Sequence, residues 1–427
     1  MKTHDLQIYI EINGESTYVG SIRGENVDDA CFAYDDNYLK NTFSTPVSIA
    51  LPLSEKTFSP EKTKRFFEGL LPEGFTRRCV AQWIHADEND YLTILSRLGQ
   101  ECLGAIRVVD SNSKCIEAGY KVLTKEDVQK LAREGATESA ELVTKAHLSL
   151  TGASGKVGLC YDGKNWFLPT GTAPSTHIVK QSHVRLNGIV NNELLCMLTA
   201  QKMGIEVVEN FIVNLGSYKD SDILFATKRY DRITDGNSRI IEGLPVPYRL
   251  HQEDFSQALG IPANEKYEKN NAGYMKKIFD LIGQYSSNPI EDQMKLWEMS
   301  IFNYLIGNTD NHIKNISLLY SKDLCSVRLA PAYDIVSTVI YESSSEDMSM
   351  SIGGIYRIYD ISRESFEKEA KNIGLGAKLA MHKFDEMVTA FPSALKSAAV
   401  ELAEQGLRGM SEMYEEILYK RKSILTS

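Results

Sequence analysis

Residues 307–315 read Gly-Asn-Thr-Asp-Asn-His-Ile-Lys-Asn and close a long apolar helical pattern, EDQMKLWEMSIFNYLIGN (291–308). Asp310 and Asn315 thus stand five positions apart in a polar loop, before short strand patterns at 316–320 and 327–330. Downstream, LAPAYDIVS (329–337) places Asp334 after the second of these strands. Two carboxylates and an amide are the oxygen donors that a hard cation such as Mg2+ prefers. Taken singly, each has a plainer reading: Asn308-Thr309-Asp310-Asn311 as a turn and Asp334 as a helix cap. Order along the chain decides between the two.

The separation of Asp310 from Asn315 is that of the protein-kinase catalytic loop, where the Asp receives the proton of the attacking hydroxyl and the Asn binds metal. Such chemistry needs, in order, a Gly-rich turn over the phosphates, a strand Lys, a helix Glu, a hinge strand, the Asp/Asn loop and a second metal Asp. Candidates occur in that order: Gly152-Ala153-Ser154-Gly155 with Lys156, then Lys180, Glu193, the strand ending at Lys228-Arg229-Tyr230, Asp310 with Asn315, and Asp334. Lys180 reads either as the cation meeting the α and β phosphates or as a solvated strand end, and sequence leaves both open. Glu193 equally suits the N-terminal dipole of its helix. Gly155-Lys156 looks like the end of a P-loop, but that pattern needs Gly at Leu150 and Ser or Thr at Val157, so a hairpin turn offering backbone N–H groups is the better reading. Arg249 to Phe255 reads as a polar cap before a helix at 251–260. His312 reads as a brace for its loop, His177 and His251 are too isolated for metal ligation, and Trp83, Trp166 and Trp297 lie in apolar stretches that suggest core.

Around these motifs, residues 6–23 alternate apolar and polar across Asn13-Gly14, a strong hairpin signal. FSTPVSIALPLS (43–54) reads as a strand, residues 65–100 as helices broken by Pro72 and Gly74, and 103–110 as a closing strand. Strands at 176–180, 207–214 and 222–230 flank an amphipathic helix at 188–205, and helices dominate from 364 to about 420. The expected division is 1–112 as an N-terminal α+β subdomain, 113–245 as a sheet with the phosphate turn and Lys strand, and 246–427 as a helical part with the catalytic and metal loops.

The chain of 427 residues carries 47 Lys+Arg against 57 Asp+Glu, a net charge of −10 that argues against nucleic-acid binding by bulk charge. Its N-terminus, MKTHDLQIYIEING, has Asp5 and Glu11 where a signal peptide needs an unbroken apolar run, and no stretch of about 18 apolar residues occurs. The expectation is a soluble, cytoplasmic protein with no membrane partner. Seven scattered Cys without a CxxC pair suggest reduced core thiols.

The combination resembles the HipA-type serine/threonine kinase toxins of bacterial type II toxin–antitoxin systems. The likeness rests on FFEGLLPEG (66–74), LSLTGASGK (148–156), STHIVK (175–180), NNELLCMLTAQKMG (191–204), TKRYDR (227–232), RLHQEDFSQALG (249–260), NTDNHIKN (308–315) and APAYDIVS (330–337). It implies an α+β, two-lobed protein-kinase-like fold with a small N-terminal subdomain and an all-helical C-terminal lobe. By the same likeness Asp310 is the catalytic base, and Asn315 and Asp334 are the Mg2+ ligands. ATP would be held by Gly152, Ala153, Ser154, Gly155, Lys156, Lys180, Lys228, Tyr230, Gln252, Asp254 and His312, with Glu253 supporting the site. Ser149 falls at the family's autophosphorylation position, with Thr151 two residues on. The implied partners are a small helix-turn-helix antitoxin, through which alone DNA is reached, and an aminoacyl-tRNA synthetase as substrate. Lys228 stands where an acidic hinge residue is expected, which backbone recognition of adenine would tolerate. Two other readings stay open: a small-molecule kinase of the same fold, and a silent binding or repressor subunit.

Overall fold

The computed structural model describes residues 3–111, 117–134, 156–182 and 186–425. They form two compact units. The first comprises Met1–Gln181, Ala226–Ala263 and Leu318–Val327, and the second Ser182–Phe225, Asn264–Ser317 and Arg328–Ser427. Among the described residues no helix is long and apolar enough to cross a membrane.

The first unit opens with the hairpin read from Asn13-Gly14. β1 (His4–Ile12) and β2 (Glu15–Gly24) pair antiparallel with Ile12 opposite Glu15. The two turn residues have φ of 53° and 86°, the doubly left-handed geometry that suits Asn-Gly. β3 (Cys31–Tyr34) and β4 (Ile106–Asp110) complete a sheet of order β3-β2-β1-β4. Its core face is legible in the alternation of β1, whose Leu6, Ile8 and Ile10 are fully buried. Phe32, Phe58, Phe66 and Phe67 are buried as well, the last two from helix Pro60–Phe67, and Phe32 meets the Phe58 and Phe67 rings at 5.9 and 5.2 Å. The strand expected at 43–54 is absent: the segment is bends and turns, because Pro46 and Pro52 cannot donate to a ladder. The Tyr34 hydroxyl holds it instead, accepting from Val47 N at 2.9 Å and donating to Leu51 O at 2.7 Å. Trp83, expected in the core, is 47% exposed.

β5 (Gly119–Val122), β6 (Lys156–Tyr161), β7 (Trp166–Thr170) and β8 (His177–Gln181) follow, in the spatial order β5-β7-β6-β8 with antiparallel pairing. β10 (Ile223–Lys228) begins in the second unit, where β9 (Asn210–Asn214) is its neighbour, and its residues from Ala226 on belong to the first. The helix expected at 251–260 shortens to Phe255–Ala258, since Gln252–Asp254 is a strand. Asp254 caps that helix in a reciprocal box with Gln257, which prevents an earlier start.

Three buried arginines organise the middle of this unit. Arg229 bonds Asp231 through two nitrogens at 2.9 and 2.7 Å and Glu101 at 2.9 Å. Arg232 bonds the same two carboxylates at 2.9 and 3.0 Å, while Arg249 joins Glu101 at 3.0 Å to Glu11 at 3.2 Å. Three guanidinium groups therefore face three carboxylates. Burial alone would raise the acids, but Arg232, Arg249 and Arg229 hold Glu101 at about 2, and Arg229 and Arg232 hold Asp231 at about 2.

The second unit is mainly helical, built from Ile189–Lys202, Tyr274–Tyr285, Pro289–Ile306, Arg363–Asn372, Ala377–Glu404 and Met410–Lys420. Buried Trp297 donates to Ala380 O at 3.0 Å and packs edge-on against Phe366. A hairpin of Asp347–Ile352 and Ile355–Arg357, which sequence reading did not place, lies in this unit. Helix Ile189–Lys202 is tied down by Asn192, whose amide exchanges two hydrogen bonds of 2.9 Å with the Ser337 backbone.

Candidate active site

Helix Pro289–Ile306 ends at Gly307, with φ of 78°. A Cβ there would lie 2.3 Å from Val339 Cγ2, so both the left-handed turn and the close approach require glycine. This cap launches the loop that carries Asp310. Asn308 donates to the Asn303 side chain at 2.7 Å and accepts from Asp310 N at 3.1 Å. Thr309 N donates to Thr338 Oγ1 at 2.7 Å, and Asn315 Nδ2 donates to Asp310 O at 3.1 Å. Asn308, Thr309, Asn311, His312, Lys314 and Asn315 are all buried, whereas Asp310 is exposed. An ordinary surface turn exposes its polar residues together. This one spends five buried polar neighbours and a buried lysine on presenting a single carboxylate.

Asp334 belongs to the same unit, in a loop rather than at a helix start, with φ of 58°. A non-glycine residue in that region costs of order 1–3 kcal/mol and persists only where its surroundings enforce it. Its neighbour Tyr333 supplies the enforcement, donating to Lys314 O at 3.1 Å and sharing a 2.7 Å bond with Ser317 Oγ. Asp334 and Asn315 are therefore each one residue from the same Tyr333–Lys314 bond. Because the Asn315 nitrogen is engaged by the loop, its oxygen is the donor that remains for a cation. Carboxylate and amide oxygens so placed fit Mg2+. The buried His312 ring lies edge-on to Tyr267 at 5.2 Å.

Glu193 is buried in helix Ile189–Lys202 of the second unit, and the remaining candidates lie in the first. Lys180 is buried in β8, in register with Lys156 of β6. Lys228 is exposed at the end of β10, and the Tyr230 hydroxyl donates to Gln252. Arg229, between them in the expected hinge strand, turns into the buried ion cluster. Gln252 and Asp254 are buried on either side of Glu253, and Asp254 accepts from Gln257 N at 2.8 Å as the helix cap. Glu253 accepts from Ser48 Oγ and Tyr320 Oη, both at 2.5 Å, and from Ile49 N at 3.1 Å. Burial nevertheless pushes its carboxyl up to about 7. Ser149, Thr151 and Gly152 to Gly155 lie outside the described residues.

Comparison with known proteins places this arrangement. Residues 148–395 match the HipA-like C-terminal domain and residues 10–109 the HipA N-terminal domain. The chain belongs to the HipA family. It is 32% identical over 386 residues to the putative kinase Y4mE of Sinorhizobium fredii, covering 88% of each chain. It is 26% identical over 369 residues to the serine/threonine-protein kinase toxin HipA of Shewanella oneidensis, covering 84% of this chain and 82% of that one. In fold it is similar to Shewanella oneidensis HipA, solved with HipB and operator DNA, at a TM-score of 0.79 and 23% identity over 99% of this chain and 97% of that one. Every candidate site residue of this HipA-family chain falls within the stretch matched by the C-terminal domain.

Two features of the site escaped sequence reading. Tyr267, in the polar run NEKYEKNN (264–271), donates its hydroxyl to Asp310 Oδ1 at 2.6 Å. The Glu101 cluster joins residues more than a hundred positions apart. Neither leaves a local pattern.

Proposed function

We propose that this protein is a Mg2+·ATP-dependent serine/threonine protein kinase acting as the toxin of a toxin–antitoxin pair. The observation that carries this reading is the loop Asn308–Asn315, in which buried polar residues present one exposed carboxylate, Asp310, beside an amide donor five residues on. Asp310 accepts the proton of the attacking hydroxyl as its oxygen bonds to the γ-phosphorus and ADP leaves. Asn315 and Asp334 would hold Mg2+, which when bound would neutralise charge on the β and γ phosphates. Lys180 contacts the phosphates, Lys228 and Tyr230 the adenine, and Gln252, Asp254 and His312 support nucleotide binding. The turn Gly152-Ala153-Ser154-Gly155-Lys156 covers the phosphates, and phosphorylation of Ser149 switches the enzyme off.

The relatives support the biological setting: one is named a kinase toxin, and the solved Shewanella protein is bound to HipB and operator DNA. For this chain the corresponding partner is a small helix-turn-helix antitoxin, and the substrate a translation component of the aminoacyl-tRNA synthetase class, met in the cytoplasm. Incubation with Mg2+·ATP followed by intact mass and peptide mapping tests the core of the reading. The expected result is one phosphate within residues 147–156 of wild type and none on Asp310→Asn. Equal labelling of the two proteins would remove Asp310 from the mechanism.

A further inference from the structure

The Tyr267 contact goes beyond this reading while resting on its assignment of Asp310 as base. A phenol that donates to Asp310 Oδ1 at 2.6 Å makes the bond that an acceptor hydroxyl must make before transfer. The contact is built into the unit. Strand Asp347–Ile352 holds both sides of it: Ser349 donates from N at 3.0 Å and from Oγ at 2.6 Å to Thr309 O, next to Asp310. On the other side, Glu268 N donates to Ser349 O at 2.8 Å, and the Glu268 carboxylate accepts from Ser351 N at 2.7 Å and Gly273 N at 2.6 Å. Glu268 is buried while Tyr267 is 42% exposed, so the backbone is fixed and the ring above it can swing into water. The ring meets His312 at its edge and the Lys266 ammonium 5.5 Å from its centre.

We infer that Tyr267 occupies the acceptor position of the resting enzyme, so that a serine or threonine hydroxyl reaches Asp310 by displacing the phenol. Tyr267 then sets how strongly an acceptor must bind, and between substrates it holds the Asp310 oxygen that would otherwise take a proton from an attacking water.

The test uses the full chain as wild type, Tyr267→Phe and Asp310→Asn, with Mg2+·ATP and a synthetic peptide copying residues 145–156 as acceptor. Tyr267→Phe should lower the KM for the peptide by about 3- to 10-fold, the effect of removing one partly exposed hydrogen bond to a charged group. The KM for ATP should stay unchanged, and ADP release without peptide should rise by a similar factor. An unchanged peptide KM, or a fall in kcat alone, would overturn the inference, the latter making the phenol an orienting group. Should wild type leave the peptide unmodified, acceptor-free ADP release decides by itself: a rise supports the inference and no change overturns it. Asp310→Asn separates the two layers. If it is inactive and Tyr267→Phe behaves as wild type, the acceptor-position reading alone fails; if it turns over as wild type, both fail.

Discussion

Two polar clusters in this protein use the same residue types for opposite ends. Around Glu101, three buried arginines face two buried carboxylates and the half-buried Glu11, mutually paired and net neutral. In the loop Asn308–Asn315, the buried groups bond to Asn303, to Thr338 and to the loop backbone, and leave the Asp310 carboxylate at the surface. Exposure separates the roles, since a carboxylate driven to about 2 by three cations is a poor proton acceptor, whereas one in contact with water can exchange its partner. The first cluster should therefore govern stability and the second turnover.

The largest effect expected is on activity. Asp310→Asn should lower phosphoryl transfer by about 10^3-fold or more, the range for a lost general base, while shifting stability by less than about 0.5 kcal/mol, as for a surface substitution. Parallel turnover and melting measurements check it, and a large loss of stability would break the contrast.

Glu101→Gln should do the reverse. It leaves three buried guanidinium groups facing two carboxylates, a destabilisation of about 3–5 kcal/mol in urea unfolding. Wild type should itself lose this stabilisation in acid: Glu101 and Asp231 have folded values below their ordinary ones, so their contribution is complete above about pH 4.5 and fades as pH falls toward 2.

Glu253 and its neighbour His251 sharpen the contrast, being buried groups that no ion pair compensates. Burial raises Glu253 to about 7, so it favours the fold at low pH and that contribution is lost as pH rises through 7. Burial lowers His251 to about 4, so it favours the fold above its ordinary value and that contribution is lost as pH falls through 4. The slopes oppose each other between about pH 4.5 and 6.5. Wild-type stability should be nearly flat there, while Glu253→Gln should show a rise of about 3 kcal/mol with increasing pH in denaturant titrations.

The smallest effect concerns Asn192, a buried polar side chain with no charge at stake. Asn192→Ala strands the Ser337 N–H and C=O, and should cost about 2 kcal/mol in thermal unfolding. A loss below about 0.5 kcal/mol would mean that water or Tyr341 replaces the amide.

Much of this was legible before the structure. The Asn13-Gly14 hairpin, the long helix read at 291–308 and found at Pro289–Ile306, and the loop of Asp310 and Asn315 are encoded in periods of a few residues. The errors are local as well: alternation at 43–54 imitated a strand although two prolines barred the ladder, and the apolar setting of Trp83 imitated core.

Sequence alone determined the α+β class, the order of the chemical groups and the family likeness, because each of these is written in short-range pattern or in order along the chain. Tertiary structure alone decided which charged residues are inert. Arg229 and Asp231 flank Tyr230 in one motif, yet their side chains are committed to a buried cluster with Arg232 of the same motif and with Glu101 from elsewhere in the chain. It also decided that Tyr267 meets Asp310, across 43 positions, because the strand Asp347–Ile352 registers both segments. Burial and hydrogen-bond partnership depend on what distant segments bring to a residue, and a linear pattern does not carry that information.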